Sequence, residues 1–185
     1  MMNRKTLIQQ LLAHRPYSEH EAAMLNRILA FVGQHEECFS RSLLVGHVTG
    51  SAWVVDHSIS HTLLVHHRRL DKWLQPGGHC DGDPDVLSVA VREAIEETGL
   101  AVMPVSGEIF DVDAHDIPAR KQEPAHVHYD IRFMLQADYE HAPVVSSESQ
   151  DVRWVPLTDV PSLNTDESVL RLVAKTNLYL RREQT

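Results

Sequence analysis

Cysteine is almost absent from this chain: Cys38 and Cys80 are the only two in 185 residues, and they form no CxxC pair. Neither a disulfide framework nor a four-thiolate zinc site can be built from them, and a reducing, cytoplasmic setting is expected. Aromatic residues make up only 6% of the chain. No apolar run approaches the roughly 18 residues that suggest a membrane span. The 17 Lys and Arg residues are outnumbered by 26 Asp and Glu and form no basic run, so nucleic acid is not an expected partner. The opening stretch MMNRKTLIQQLLAHR lacks a small-residue cleavage site behind an apolar run and reads as an amphipathic helix carrying Leu7, Leu11 and Leu12, not as a signal peptide.

With 43% hydrophobic and 23% charged residues, the composition is that of a globular domain with a real core. The formal charge is −9, and thirteen histidines would reverse its sign if all were protonated. Along the chain, residues 1–35 predict two helices broken around Pro16, with Ser18 as N-cap of the second. That second helix places Ala22, Leu25, Ile28, Leu29 and Val32 at helical spacing. From residue 47 the texture changes to β-branched runs: HVTGSAWVVD, HTLLVHH, LAVMPV, EIFDVDAH, HVHYDIRFML and DVRWVPL. The stretch KWLQPGGHCDGD reads as a loop, and 114–125, with Pro118 and Pro124, as a longer functional one. A helix over about 84–98 and another over about 166–182 complete an α+β pattern.

The helix DVLSVAVREAIEETGL carries the chemistry. Leu87, Val91, Ala94 and Ile95 form its expected core stripe, and Glu93, Glu96 and Glu97 crowd one turn on the other side. Like charges at that spacing cost roughly 0.2–0.5 kcal/mol per pair, and they sit in the half of the helix where its dipole disfavours negative charge. Arg92 reaches Glu96 at i+4 but cannot relieve all three. A hard divalent cation would turn the repulsion into binding. Asp83 and Pro84 read as N-cap and first helical residue, Gly99 as the glycine that ends the helix. Ahead of it, Pro76-Gly77-Gly78 allows backbone to approach an ion or phosphate closely.

The stretch from Gly78 to Leu100 resembles the signature of the Nudix hydrolases, G-x5-E-x7-R-E-U-x-E-E-x-G-U with U a bulky apolar residue. Gly78, Arg92, Glu93, Glu96, Glu97, Gly99 and Leu100 match it. Pro84 replaces the first glutamate and small Ala94 the first U, so any contact made by that glutamate falls to Asp83 or Asp85. The resemblance extends over roughly 45–165. It implies an α/β/α sandwich with a curled mixed sheet, a helical segment over 1–40 packed on it, and a Nudix domain over 41–185. It also implies Mg²⁺- or Mn²⁺-dependent attack of water on a nucleoside diphosphate linked to another moiety, such as a sugar nucleotide or ADP-ribose. The alternatives are a (d)NTP pyrophosphohydrolase with a housecleaning role and a Nudix-fold module that binds nucleotide without hydrolysing it. By the same resemblance Glu93, Glu96 and Glu97 are metal ligands, one of them serving as base. The Gly78 carbonyl and Glu148 are further ligands, and Arg92 orients the glutamates.

The strand His126-Val-His-Tyr-Asp-Ile-Arg-Phe-Met-Leu alternates. Val127, Tyr129, Ile131, Phe133 and Leu135 point to one side; His126, His128, Asp130 and Arg132 point to the other. The polar side reads either as a solvated face or as a cleft wall in which His126, His128 and Arg132 meet substrate. A separate zinc site from His-x-His finds no further ligand at a recognisable spacing. His66-His67-Arg68-Arg69 with Lys72 offers either phosphate contacts, through Arg68 and Arg69, or ordinary surface charge. Trp73 reads as packing beside the glycine loop, and Leu170, Leu172 and Leu178 as core or a homodimer seam.

Overall fold

The structure is a computed structural model describing residues 3–119, 124–147 and 149–183. Among these residues the helices are α1 (Arg4–Ala13), α2 (Glu19–Gln34), α3 (Val86–Thr98) and α4 (Glu167–Glu183). The strands are β1 (Gly46–Val55), β2 (His61–His67), β3 (Lys72–Leu74), β4 (Gly77–His79), β5 (Val102–Pro104), β6 (Asp111–Ile117), β7 (His126–Ala137) and β8 (Ser149–Pro156). The chain forms two compact units: residues 1–51, 77–90 and 107–133, and residues 52–76, 91–106 and 134–185. The fold class is α+β, as the strand and helix pattern predicts.

In the first unit the two amino-terminal helices are capped by side chains. The Thr6 amide donates to Asn3 Oδ1 at 3.1 Å, and the Glu21 amide to Ser18 Oγ at 3.2 Å. Leu7 and Leu11 are buried, whereas Leu12, expected beside them, is exposed because one step of about 100° carries it off their stripe. On α2 the buried apolar residues are Leu25, Ile28, Phe31 and Val32, Glu21 is buried with them, and the Phe31 ring stacks on Tyr129 at 3.9 Å. The glycine loop expected before α3 is partly strand. β4 pairs antiparallel with β1, setting Gly78 opposite Gly50 and His79 opposite Thr49. Gly50 has no substitute: a Cβ there would lie 2.8 Å from the Val86 carbonyl and 3.0 Å from Val89 Cγ1, so the start of α3 packs directly on bare strand backbone. β6 pairs antiparallel with β7 from Asp111↔Arg132 to Ile117↔His126. Of the expected loop 114–125, the stretch to Ile117 belongs to β6, and residues 120–123 lie outside the described ones.

In the second unit β2 pairs antiparallel with β8 along most of its length and with β3, and β5 pairs with the end of β7. The buried Trp53 indole N–H donates to Thr176 Oγ1 at 2.8 Å, which fixes α4 against β1. No helix among the described residues is long and apolar enough to cross a membrane.

The start of α3 corrects one reading. The helix begins at Val86, and Asp85, not Asp83, caps it: the Ser88 amide donates to Asp85 Oδ1 at 3.1 Å, while Asp83 Oδ1 accepts from the Asp85 amide at 2.9 Å. Pro84 therefore precedes the cap and stiffens its approach. Asp85→Ala is expected to lower stability by about 1 kcal/mol, and Asp83→Ala by no more than about 0.5 kcal/mol, measured by urea denaturation. Equal losses would contradict this assignment of the cap.

Candidate active site

The buried side of α3 is Val86, Val89, Ala90 and Ala94, not the stripe expected from Leu87, Val91, Ala94 and Ile95; Ile95 is 43% exposed. This rotation matters because Glu93 now borders the buried stripe while Glu96 projects outward. Arg92 Nη2 lies 2.9 Å from Glu93 Oε1 and its Nε 3.8 Å from Glu96 Oε1, so the nearer partner is the adjacent residue. Glu93, Glu96 and Glu97 line a cleft of about 220 Å³ together with Ser146 and Ser147. The segment carrying these serines is held at the helix end, where the Val144 amide donates to the Thr98 carbonyl at 2.7 Å. Gly99 takes φ +70° there, and a Cβ on it would press on Val144 at 3.0 Å. Glu148, the auxiliary carboxylate of the sequence reading, lies outside the described residues.

The basic stretch after β2 is largely engaged within its own unit. Arg68 Nη2 donates to the Ser149 carbonyl at 2.9 Å, Lys72 pairs with Asp166, and His66 Nε2 lies 2.9 Å from Asp71 Oδ1. Arg69 is exposed. Trp73 is buried, with the His66 ring stacked at 4.8 Å and the Arg153 guanidinium 4.2 Å from its centroid, a packing role as expected.

The polar side of β7 is neither a solvated face nor, at Arg132, a wall that meets substrate. From Tyr129 to Leu135 every residue is buried. Arg132, only 2% exposed, donates to Asp130 Oδ2 at 2.7 Å and Asp111 Oδ2 at 3.2 Å, and lies 3.5 Å from Asp113 Oδ2. Asp130 Oδ1 also accepts from Thr49 Oγ1 at 2.9 Å and Ser51 Oγ at 2.7 Å. Burial, the largest influence, would raise the Asp130 carboxyl; the Arg132 guanidinium, His115 and the Ser51 hydroxyl together outweigh it and hold the group below the ordinary carboxylate range. The arginine assigned to substrate is thus a cross-link between β6 and β7, because a charge on this face survives burial only when paired.

Farther along the same face, His126 and His128 meet His47 of β1, with ring centroids 5.1 and 4.8 Å from it, and His79 of β4 lies 5.0 Å from His47. Burial first, and the neighbouring His79 and His126 next, push the His47 imidazole down to about 4; burial and the His47 and His79 rings push His128 down to about 3. His47 was missed from sequence. Its signal was the alternation His47, Thr49, Ser51 on β1, which repeats the polar side of β7.

With this geometry in hand, the family is plain: the chain belongs to the Nudix family, whose NUDIX domain model matches residues 47–175. It is 34% identical over 81 residues to "Probable DHNTP pyrophosphohydrolase" of Lactococcus lactis subsp. cremoris (strain MG1363), a match over 43% of this chain that spans about half, 48%, of that relative. Its fold is similar to that of a C. elegans Ap4A hydrolase in a binary complex, with TM-score 0.58 and 16% identity over 72% of this chain and 97% of that one. It is also similar to the NUDIX domain of Shewanella oneidensis NrtR complexed with ADP ribose, with TM-score 0.53 and 20% identity over 72% and 87%.

Replacing Arg132 by Met leaves three carboxylates around a vacated cation. It is expected to cost about 3–5 kcal/mol in urea denaturation, and Arg132→Lys is expected to restore only part because it cannot span the aspartates with a planar fork. Unchanged stability with lost substrate affinity would return Arg132 to the substrate-contact role.

Proposed function

We propose that this chain is a divalent-metal-dependent pyrophosphohydrolase that cleaves the diphosphate linkage of a nucleoside diphosphate joined to another moiety, of the sugar-nucleotide or ADP-ribose type, by attack of water. The observation that carries the reading is the gathering of Glu93, Glu96 and Glu97 around one cleft on a single helical turn. Their donor atoms are all hard oxygens, a set that fits Mg²⁺ or Mn²⁺. These three glutamates would hold the ion, which when bound supplies charge neutralisation of the phosphates and a water of lowered pKa. Arg92, paired to Glu93 and reaching toward Glu96, keeps both carboxylates in place as the helix turns. One glutamate takes the proton of the attacking water, and Ser146 and Ser147, which line the same cleft, carry hydroxyl groups suited to phosphate oxygens. Arg69, exposed after β2, offers a further cation for a phosphate.

A second reading is a nucleoside triphosphate cleaved with release of pyrophosphate. The match to the Lactococcus lactis protein favours it. A substrate panel with Mg²⁺ and Mn²⁺ separates the two by product: two phosphomonoesters for a linked diphosphate, pyrophosphate and a monophosphate for a triphosphate. Glu97→Gln is expected to lower kcat/KM by on the order of 10²-fold or more while the variant stays folded. Full Mg²⁺-dependent activity in that variant, or tight metal-dependent binding without turnover across the panel, would overturn the proposal.

A further inference from the structure

A second set of side chains able to ligate a metal lies where β1 and β7 bring His47, His126 and His128 together. The ligating atoms of His47, His126 and His128 all fall within 4.8 Å of one another. His126 and His128, two residues apart on β7, point to the same side, and their Nε2 atoms are 3.1 Å apart. In a tetrahedral zinc site with Zn–N of about 2.0–2.1 Å, two imidazole nitrogens stand about 3.3–3.4 Å apart, so this pair is already at ligand spacing.

The hydrogen bonds around these rings point the same way. His126 Nδ1 lies 2.9 Å from the Pro124 carbonyl, a contact only an N–H can make, so Nδ1 carries the proton and Nε2 presents its lone pair toward His128. Fixing one ring nitrogen by a backbone carbonyl is how ligating histidines are held in tautomer and orientation. His47 is 4% exposed, and neither of its ring nitrogens has a hydrogen-bond partner among the described residues. A buried imidazole with both nitrogens unsatisfied is costly, and a hydrogen bond donated by His128 to His126 does nothing for it. An ion shared by the three rings would take up one of the two His47 nitrogens, and it accounts for the approach of the other two rings.

We propose that His47, His126 and His128 form a three-imidazole site for a borderline first-row divalent ion of the Zn²⁺ class, with its fourth position left to water or a substrate group. The donor chemistry separates it from the carboxylates of α3. Imidazole suits Zn²⁺ and its neighbours, whereas Mg²⁺ prefers oxygen. His79 and His115, with ring centroids 5.2 and 5.7 Å from His128, flank the three without joining them. The inference does not depend on the pyrophosphohydrolase reading.

The test uses the full chain stripped with a chelator and titrated with Co²⁺ alone, in place of Zn²⁺, in the presence of excess Mg²⁺. One equivalent is expected to give intense visible ligand-field bands that Zn²⁺ abolishes and Mg²⁺ does not. His126→Gln, at a partly exposed position, and His47→Gln are each expected to remove those bands. The double variant Glu93→Gln/Glu96→Gln is expected to keep them. X-ray absorption of the Zn²⁺-loaded wild-type protein, which needs no variant, is expected to show three imidazole scatterers. The proposal is overturned if wild-type protein gives no stoichiometric Co²⁺ spectrum, if the spectrum survives His126→Gln, if it disappears with the glutamate variant, or if the absorption shell is oxygen alone.

Discussion

The guanidinium of Arg132, enclosed by Asp111, Asp113 and Asp130, is the interaction on which the first unit depends. It lets a sheet face with ionisable groups in a row be buried, and it does so by joining β6 to β7. Asp130 extends the network to Thr49 and Ser51 of β1. The pairing Asp111↔Arg132, Asp113↔Asp130 and His115↔His128 then follows as one register. A slip of one residue would turn every one of these side chains to the opposite face. The contacts of Asp130 with Thr49 and Ser51 tie β7 to β1 on the same face that carries His47, His126 and His128. The face grades from ion pairs through hydroxyl contacts to imidazoles along its length.

The chain thus carries two donor sets of different chemistry, each on regular secondary structure. One is the three carboxylates of α3, set within one helical turn and gathered around a cleft. The other is three imidazoles on adjacent strands. Oxygen donors suit Mg²⁺ and imidazole donors suit Zn²⁺, so the two sets differ in the ion each prefers. The excess acidity of the chain is concentrated near the first of these, where Asp81, Asp83, Asp85 and the glutamates of α3 cluster in sequence.

Much of this was legible in the residues. Ser18 and Gly99 bound their helices because each has one physical use at its position: a side-chain acceptor for free amides, and a left-handed turn. The order of strands and helices followed from the change in apolar period, and the Nudix signature from Gly78 to Leu100 pointed to the family. Burial was harder. Leu12 and Ile95 look apolar enough for a core, but only the neighbours of a helix decide which apolar residues on its edge are covered. Asp83 reads as the cap because a proline follows it, but the helix starts two residues later and Asp85 takes that role. β3 and β4 are three residues each, too short for alternation to show. At Arg132 the pattern was correct and its meaning was not, since alternation marks two faces without saying whether the polar one meets water or a set of aspartates. His47 was invisible as a ligand because its partners come from a distant strand.

The central claim is that water attacks phosphorus in this chain under the control of a divalent ion held by the α3 glutamates. Turnover by Mg²⁺-loaded protein in ¹⁸O-labelled water, followed by mass spectrometry of the products, tests it most directly. One labelled oxygen in a single phosphate product, with the bridging oxygen retained by the other, is the predicted result. Products formed without label, or no label and no turnover on any linked diphosphate or nucleoside triphosphate, would contradict it.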